Sequence, residues 1–144
     1  RLGRAIRFKE TDVRPMGRQA AGVKALSLKP KDAVIGMIVA GDEERFVFTA
    51  SERGYGKKTE ISEYPRHRRG GQGVLNLRTS PRIGSALAMV SVSEEELLII
   101  TLEGKAIRVK TTQFRPISRA TQGVRIINLE DNDRVCSIAK VGES

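Results

Sequence analysis

The sequence predicts an all-β protein made of about three copies of one four-stranded unit. The first observation is a repeat, because pairs of glycines nineteen residues apart recur every 50 to 51 residues. The pairs are Gly3 and Gly22, Gly54 and Gly73, and Gly104 and Gly123. A period of this length is typical of propeller blades and solenoid units, in which neighbouring copies bury each other's apolar faces. We expect the repeats at approximately residues 1–50, 51–101 and 102–144.

The second observation is that short apolar runs, bounded by turn residues, predict strands within each unit. Predicted first strands alternate apolar and basic residues at 5–8 and 106–109, which places one face inward. The predicted second strands are 23–28, 74–77 and 124–129, the third are 34–39, 83–92 and 135–141, and the fourth are 46–50 and 97–102. Four strands per unit make a propeller-like blade. Three blades leave exposed strand edges, so we expect a longer parent protein to complete the ring.

The third observation is that positive charge is confined to one segment of every repeat. Residues 3–28, 54–79 and 104–129 hold eighteen of the 26 Lys and Arg residues but only four of the 17 Asp and Glu residues. If the repeats stack around a common axis, equivalent segments lie side by side, and their charges form a continuous basic band. Such a band is typical of a surface that binds a polyanion. With 4% aromatic residues, a stacking surface for single-stranded nucleic acid is disfavoured.

Each basic segment contains a loop that ends at the second glycine of its pair, at residues 15–22, 66–73 and 116–123. Arg and Lys side chains neutralise phosphate, and glycines let the backbone approach it. For the closing glycines we favour a structural role, since a tight turn into a strand often needs positive φ. The residues predicted to contact DNA are Arg4, Arg7, Lys9, Arg14, Arg18, Lys57, Lys58, Arg66, Arg68, Arg69, Lys105, Arg108, Lys110, Arg115, Arg119 and Arg125.

The sequence predicts no catalytic or metal-binding site. Tyr64 occupies the same position in its repeat as the apolar residues Val13 and Phe114, so we expect it in the core. Tyr55 lies in a predicted turn without a neighbouring base to activate it. One Cys and one His cannot form a tetrahedral zinc site, and Cys136, in an apolar stretch, is expected to be buried. Because no apolar run is long enough for a membrane-spanning helix, we expect a cytoplasmic protein.

The middle basic loop resembles a motif of a known family. Its sequence, His67-Arg68-Arg69-Gly70-Gly71-Gln72-Gly73, resembles the Q-R-R-G-G-K-G box of the DNA gyrase A family. Residues 7–9, 13–17, 54–59, 62–65 and 121–124 are also similar to the C-terminal repeats of that family. His67 and Gln72 differ from the box, and the flanking motifs resemble the fourth to sixth blades. We therefore interpret the loop as a box-like loop in the fifth blade.

The resemblance implies a β-pinwheel, a six-bladed propeller relative whose blades exchange strands, of which this chain forms about three blades. It also implies that duplex DNA bends around a basic rim. The parent enzyme would supercoil DNA negatively, using ATP and Mg²⁺ through other domains, and this chain itself would hold no cofactor. The implied partners are duplex DNA, the remainder of gyrase A and the gyrase B protein, in a heterotetramer associated with the bacterial nucleoid.

Three other interpretations remain open at this point, and one is that these blades mainly brace a neighbouring DNA-binding half and touch nucleic acid weakly. The C-terminal domain of topoisomerase IV has related blades and usually a degraded box. A propeller module that binds an acidic protein would use the same basic band as a docking surface. Competition by short duplex DNA distinguishes the protein-docking function from DNA binding.

Overall fold

The computed structural model describes residues 1–142, and its regular elements are β-strands joined by short 3-10 helices. The strands are β1 (Arg4–Ala5), β2 (Phe46–Ser51), β3 (Tyr55–Glu60), β4 (Val74–Leu75), β5 (Ala86–Val92), β6 (Glu96–Thr101), β7 (Ala106–Lys110), β8 (Val124–Arg125) and β9 (Val135–Val141). The 3-10 helices, at Glu10–Asp12, Ile61–Glu63 and Thr111–Gln113, recur with the period of the sequence repeat. The predicted all-β fold is confirmed.

The strands form three antiparallel sheets, ordered β1-β4, β5-β2-β3-β8 and β7-β6-β9. The four-stranded sheet combines strands from all three repeats, because β2 lies in the first, β3 and β5 in the second and β8 in the third. In its register Phe46 of β2 lies opposite both Glu60 of β3 and Val92 of β5. Successive repeats are therefore joined by exchanged strands.

Two predicted strands of the first repeat, at residues 23–28 and 34–39, are absent. In the later repeats β4 and β8 pair with β1 and β3 of the preceding repeat, and β5 and β9 pair with β2 and β6. Among residues 1–142 no equivalent strand is available to pair with 23–28 or 34–39. Val34, Met37 and Val39 are accordingly 66%, 83% and 73% exposed.

The predicted second strands at 74–77 and 124–129 contract to the two-residue strands β4 and β8. The cause is a shared acceptor, since the backbone N–H groups of Asn76 and Leu77 both donate to Gly3 O, at 2.7 and 3.0 Å. Ile126 and Ile127 repeat this arrangement at Gly54 O. Two donors on one acceptor interrupt the regular ladder, so strand pairing stops there.

Other strand boundaries also differ from the prediction. The strand predicted at 5–8 is limited to Arg4–Ala5. The strand predicted at 83–92 begins only at Ala86, because the preceding residues form a turn closed by a hydrogen bond from Gly84 N to Ser80 O at 2.9 Å.

The main core lies between the four-stranded and three-stranded sheets. Phe48, Val92, Leu97 and Ile99 are completely buried there, and the Phe114 ring meets Phe48 edge-on with centroids 5.4 Å apart. A smaller cluster contains Tyr55, Leu77, Ile83 and Ala86. Residues 4–45, in contrast, contain no buried residue. The first repeat therefore contributes to this core through its last strand, β2, while the other core residues come from the second and third repeats.

Two predictions about single side chains have opposite outcomes. Tyr64 is buried as predicted, its hydroxyl donates to Asn76 Oδ1, and burial raises the pKa of Tyr64 to about 12. The prediction for Cys136 was wrong, because this residue is exposed. It lies on the edge strand β9, which turns Val135 and Ile138 rather than Cys136 toward the core. Residues 1–142 contain no helix with the length and apolar character needed to cross a membrane.

Candidate nucleic-acid interface

Two arginines of the basic loops bind backbone carbonyls of the preceding repeat. Arg69 donates from Nε to Asp12 O at 3.0 Å and from Nη1 to Lys24 O at 3.1 Å. Arg119, fifty residues later, donates from Nε to Glu63 O at 2.7 Å and from Nη1 to Leu75 O at 2.9 Å. The donor atoms are the same, and the acceptors are also one period apart. These side chains therefore make one contact twice, each time between consecutive repeats.

A second pair of equivalent basic residues, Arg7 and Lys58, binds backbone carbonyls of the following repeat rather than the preceding one. Arg7 donates from Nη1 to Ile61 O and Tyr64 O of the next repeat, at 3.2 and 3.1 Å. Lys58, its counterpart in the second repeat, donates from Nζ to Thr111 O at 3.0 Å. Both side chains thus reach the region of a 3-10 helix in the following repeat. Lys58 is 6% exposed, and this burial lowers its pKa below the ordinary lysine value.

Lys57 is hydrogen-bonded to the backbone of the third basic loop, at residues 116–123. Its ammonium group donates to Ser118 O at 2.9 Å and to Arg119 O, and the residue is 1% exposed. Burial lowers the pKa of Lys57 to about 8. Arg7, Lys57, Lys58, Arg69 and Arg119 are hereafter the bridging residues.

Because the bridging residues bind other parts of the protein, the set of residues predicted to contact DNA has to be revised. Lys57 and Lys58 were predicted to contact DNA, and this prediction was wrong, because both are buried and their ammonium groups face carbonyl oxygens. Arg7, Arg69 and Arg119 are half-buried, and several of their N–H groups are already used by the protein. Arg4 is similar, since it donates from Nε to Gln72 O at 3.0 Å and from Nη2 to Gly73 O at 2.8 Å.

The box-like loop is pinned to the first repeat through its glycines. Gly70 N donates to Ala25 O at 2.7 Å, while Gly70 O and Gly71 O accept hydrogen bonds from Ser27 Oγ at 2.6 Å and Ser27 N at 2.8 Å. The backbone N–H of Gly70 is therefore occupied within the protein. His67, Arg68, Gly71 and Gln72 line a shallow depression beside Ile6.

The closing glycines have the predicted structural role. Gly73 has a φ of 69°, and a Cβ atom added there would lie 2.1 Å from Ala5 O. At Gly123 the corresponding distance, to Gly56 O, is 2.5 Å. No side chain fits at either position without moving the neighbouring strand.

Ten of the predicted DNA-contacting residues are exposed. They are Lys9, Arg14, Arg18, Arg66, Arg68, Lys105, Arg108, Lys110, Arg115 and Arg125. Lys105 pairs with Glu130 at 3.3 Å and Arg108 pairs with Glu96. The remaining eight form no ion pair with a carboxylate in residues 1–142. Arg14, Arg18, Arg66, Arg68 and Arg115, which lie in or directly before the basic loops, are hereafter the exposed loop arginines.

Two of the bridging residues, Arg69 and Arg119, fix the position of their basic loops relative to the preceding repeat. The bond from Arg69 to Asp12 O sets the middle loop against the end of the first 3-10 helix, and the bond from Arg119 to Glu63 O sets the third loop against the end of the second. Since an exposed loop arginine follows each 3-10 helix, exposed positive charge recurs along the series of basic loops. Contact of these residues with DNA stays a prediction.

The bridging role was missed by sequence reasoning, although a signal was present. A residue that contacts phosphate regardless of the DNA sequence needs a positive charge, but it need not occupy the same position in every repeat. A bond between consecutive repeats requires a long cationic donor at the same position every time. Arg7, Lys58 and Arg108 form one such set of equivalent positions, and Arg18, Arg69 and Arg119 form another. Arg18 and Arg108 are exposed, because within residues 1–142 Arg18 has no preceding repeat to reach and Arg108 has no complete following one.

Comparison with known proteins decides the family. The family model for the DNA gyrase C-terminal domain, beta-propeller, matches in three successive segments, at residues 1–40, 45–93 and 95–141. The chain belongs to this family. The DNA gyrase A protein of Kosmotoga olearia is 44% identical over 143 residues, which cover 98% of this chain and 18% of the relative. The Staphylococcus epidermidis gyrase A protein is 42% identical over 96% of this chain and 16% of its own length.

Solved structures agree with this assignment to the gyrase C-terminal domain family. A DNA gyrase A C-terminal domain superposes with a TM-score of 0.84 at 27% identity, over 96% of this chain and 47% of that chain. A C-terminal domain of DNA topoisomerase IV superposes with a TM-score of 0.89 at 27% identity, over 97% of this chain and 44% of that chain. The β-pinwheel fold implied by the box-like loop is therefore confirmed. The chain spans less than a fifth of the curated relatives and about half of these solved domains.

Proposed function

We propose that this chain binds the sugar-phosphate backbone of duplex DNA without sequence preference, and that it bends or wraps the duplex as part of the C-terminal domain of DNA gyrase A. The observation that carries the proposal is the series of basic loops, in which exposed arginines without carboxylate partners recur at each repeat while the bridging residues fix their spacing. Backbone contact along a curved protein edge is the pattern by which proteins bend DNA without reading bases.

The cost of bending DNA and the number of exposed cations set the expected energetics and salt dependence of binding. Bending a site of 20 to 30 base pairs by 40 to 90° costs on the order of 1 to 6 kcal/mol, which contacts along the arc must offset. If about six to eight exposed cations neutralise phosphates, the slope of log K against log salt is about −5 to −7. Binding is then strongly sensitive to salt.

The parent enzyme is proposed to be an ATP-dependent type II DNA topoisomerase that introduces negative supercoils in the bacterial cytoplasm, at the nucleoid. Its other parts would be the remainder of gyrase A and the gyrase B protein. Residues 1–142 contain no cluster of three His, Cys, Asp or Glu side chains suited to hold a metal. We propose that the parent enzyme uses ATP and Mg²⁺ through other domains.

The test is ligation of linear DNA into circles in the presence of this protein, followed by separation of the topoisomers. Wrapping shifts the mean linking number in proportion to the protein added. A variant in which Arg14, Arg66, Arg68 and Arg115 are all changed to Ala should lose the shift. A control variant that changes the solvent-exposed Arg45 to Ala, and so removes one positive charge outside the basic loops, should keep it. An unchanged linking number at saturating wild-type protein would contradict wrapping.

A C-terminal domain of topoisomerase IV is the second candidate, favoured by its TM-score of 0.89. Against it, the curated relatives at 44% and 42% identity are gyrase A proteins. The same ligation separates the two, because strong wrapping is the behaviour expected of the gyrase function. Binding without a change in linking number would favour the topoisomerase IV function.

A further inference from the structure

An arginine-tyrosine cluster lies at the start of β3. Tyr55 begins this strand and is 7% exposed. Arg125 of β8 lies opposite it in the register and donates from Nη2 to the Tyr55 hydroxyl at 3.0 Å. The guanidinium carbons of Arg82 and Arg125 lie 5.3 and 5.5 Å from the centre of the Tyr55 ring. Two guanidinium groups thus pack on one aromatic ring.

The arginines of the cluster form no direct ion pair with a carboxylate in residues 1–142. Arg53, Arg82 and Arg125 line the same concave surface, and all three are exposed. Hydrogen bonding and charge from Arg125, followed by Arg82, lower the pKa of Tyr55 below its ordinary value. Both guanidinium groups therefore act on the tyrosine hydroxyl.

The acidic residues beside the cluster are mostly engaged elsewhere. Glu130 pairs with Lys105 at 3.3 Å. Asp133 is 2% exposed, and its Oδ1 accepts hydrogen bonds from two backbone N–H groups at 3.1 and 2.8 Å. Asp131 is the exposed carboxylate that remains on this surface. The concave surface is therefore lined by three exposed guanidinium groups and three carboxylates, of which Glu130 is paired with Lys105, Asp131 is exposed, and Asp133 is buried with no partner for its Oδ2 within residues 1–142.

The repeat architecture does not require this cluster. Arg4 and Leu75 occupy the equivalent register position between the first and second repeats, just as Tyr55 and Arg125 do between the second and third. The sheet forms in both places, but within residues 1–142 the aromatic ring with two guanidinium groups occurs in one. Packing on an aromatic ring restricts arginine side chains in advance, so they lose less conformational entropy when they bind an anion.

We propose that Arg53, Arg82 and Arg125 form an additional binding site for the phosphate groups of duplex DNA, with Tyr55 as the residue that positions Arg82 and Arg125. The inference rests on the proposed DNA-binding function and extends it from Arg125, already among the predicted DNA contacts, to Arg53, Arg82 and Tyr55. Arg125 follows the closing glycine of the third basic loop, Gly123, by two residues, so a duplex that contacts this loop can extend onto the site.

The test is the salt dependence of duplex binding, measured by fluorescence anisotropy with a labelled duplex of about 30 base pairs. The double variant Arg82→Ala, Arg125→Ala should make the slope of log K against log salt less negative by about 1.8, or about 0.9 for each lost phosphate contact. The matched control, Lys29→Ala with Arg45→Ala, removes the same charge from other exposed positions and should retain the wild-type slope. The double variant Arg82→Lys, Arg125→Lys keeps the charge and should retain most of the slope while weakening affinity.

The outcomes separate this inference from the proposed function. If the wild type binds duplex DNA and the alanine pair behaves like the control pair, the additional site is overturned and DNA binding stands. If the wild type does not bind duplex DNA, both fail. A titration with inorganic phosphate, followed through the arginine Nε–H signals by NMR, provides a further check. Saturable shifts at Arg82 and Arg125 with phosphate, together with an unchanged slope for DNA, would assign the site to a free anion and overturn the DNA contact.

Discussion

Arg68 and Arg69 are adjacent in the box-like loop and carry the same charge, yet their surroundings differ completely. Arg69 is half-buried, and its guanidinium group donates to Asp12 O and Lys24 O of the preceding repeat. The Arg68 side chain is exposed and has no hydrogen-bond or ion-pair partner in residues 1–142. The comparison shows that the positive charge of a basic loop has two separate uses. One part joins the repeats, and the other part is available to a polyanion.

The largest expected effect is on stability, and it should distinguish these two neighbours. Arg69→Ala removes two hydrogen bonds from a charged donor to backbone carbonyls, so the free energy of unfolding should fall by about 2 to 3 kcal/mol. Arg68→Ala should change it by less than about 0.5 kcal/mol. Urea denaturation followed by circular dichroism measures both. Equal losses for the two variants would show that the contacts of Arg69 do not stabilise the protein.

The next effect concerns the pH dependence of the bridging residue Lys57. Its folded pKa of about 8 lies below the ordinary lysine value of 10.5, so the unfolded chain binds more protons between these values. Below about pH 8, burial of the charged Lys57 lowers the free energy of unfolding by its full amount. This loss becomes smaller as the pH rises toward 10. From pH 7 to 9.5 the free energy of unfolding should rise by up to about 2 kcal/mol from this group.

Urea denaturation of the wild type and of Lys57→Met across this pH range measures that contribution as the difference between the two curves. The pH range ends below 10 because the raised pKa of Tyr64 acts in the opposite direction above it. Tyr55 and Lys58, whose folded pKa values are lowered, are common to both proteins and cancel in the difference. Parallel curves would mean that Lys57 keeps its ordinary pKa in the folded protein.

The smallest expected effect is on DNA binding by a single exposed arginine. Arg68→Ala should make the slope of log K against log salt less negative by about 0.9, and equally for duplexes of different sequence. Arg69→Ala, compared under conditions where it stays folded, should leave the slope close to that of the wild type. A larger change for Arg69 than for Arg68 would reverse the division between bridging and exposed arginines.

Sequence reasoning succeeded where a local pattern carries the information. The apolar residues at the equivalent positions of the other repeats predicted the burial of Tyr64, and the period predicted the turns at Gly73 and Gly123. It failed for Lys58, because a charged residue in a basic segment gives no sign that its ammonium group is buried against a carbonyl 53 residues away. It also failed for residues 34–39, whose apolar pattern suits a strand but whose pairing depends on a segment outside the repeat.

The amino-acid sequence alone determined the period, the all-β content, the family resemblance and the concentration of positive charge in one segment per repeat. These are properties of neighbouring residues, and they can be read along the chain. The tertiary structure decided which cations bind carbonyl groups, which remain exposed and where the Tyr55 cluster forms. The physical reason is that burial and hydrogen-bond partners are supplied by other repeats, as when Arg69 reaches Asp12 O across 57 positions of sequence.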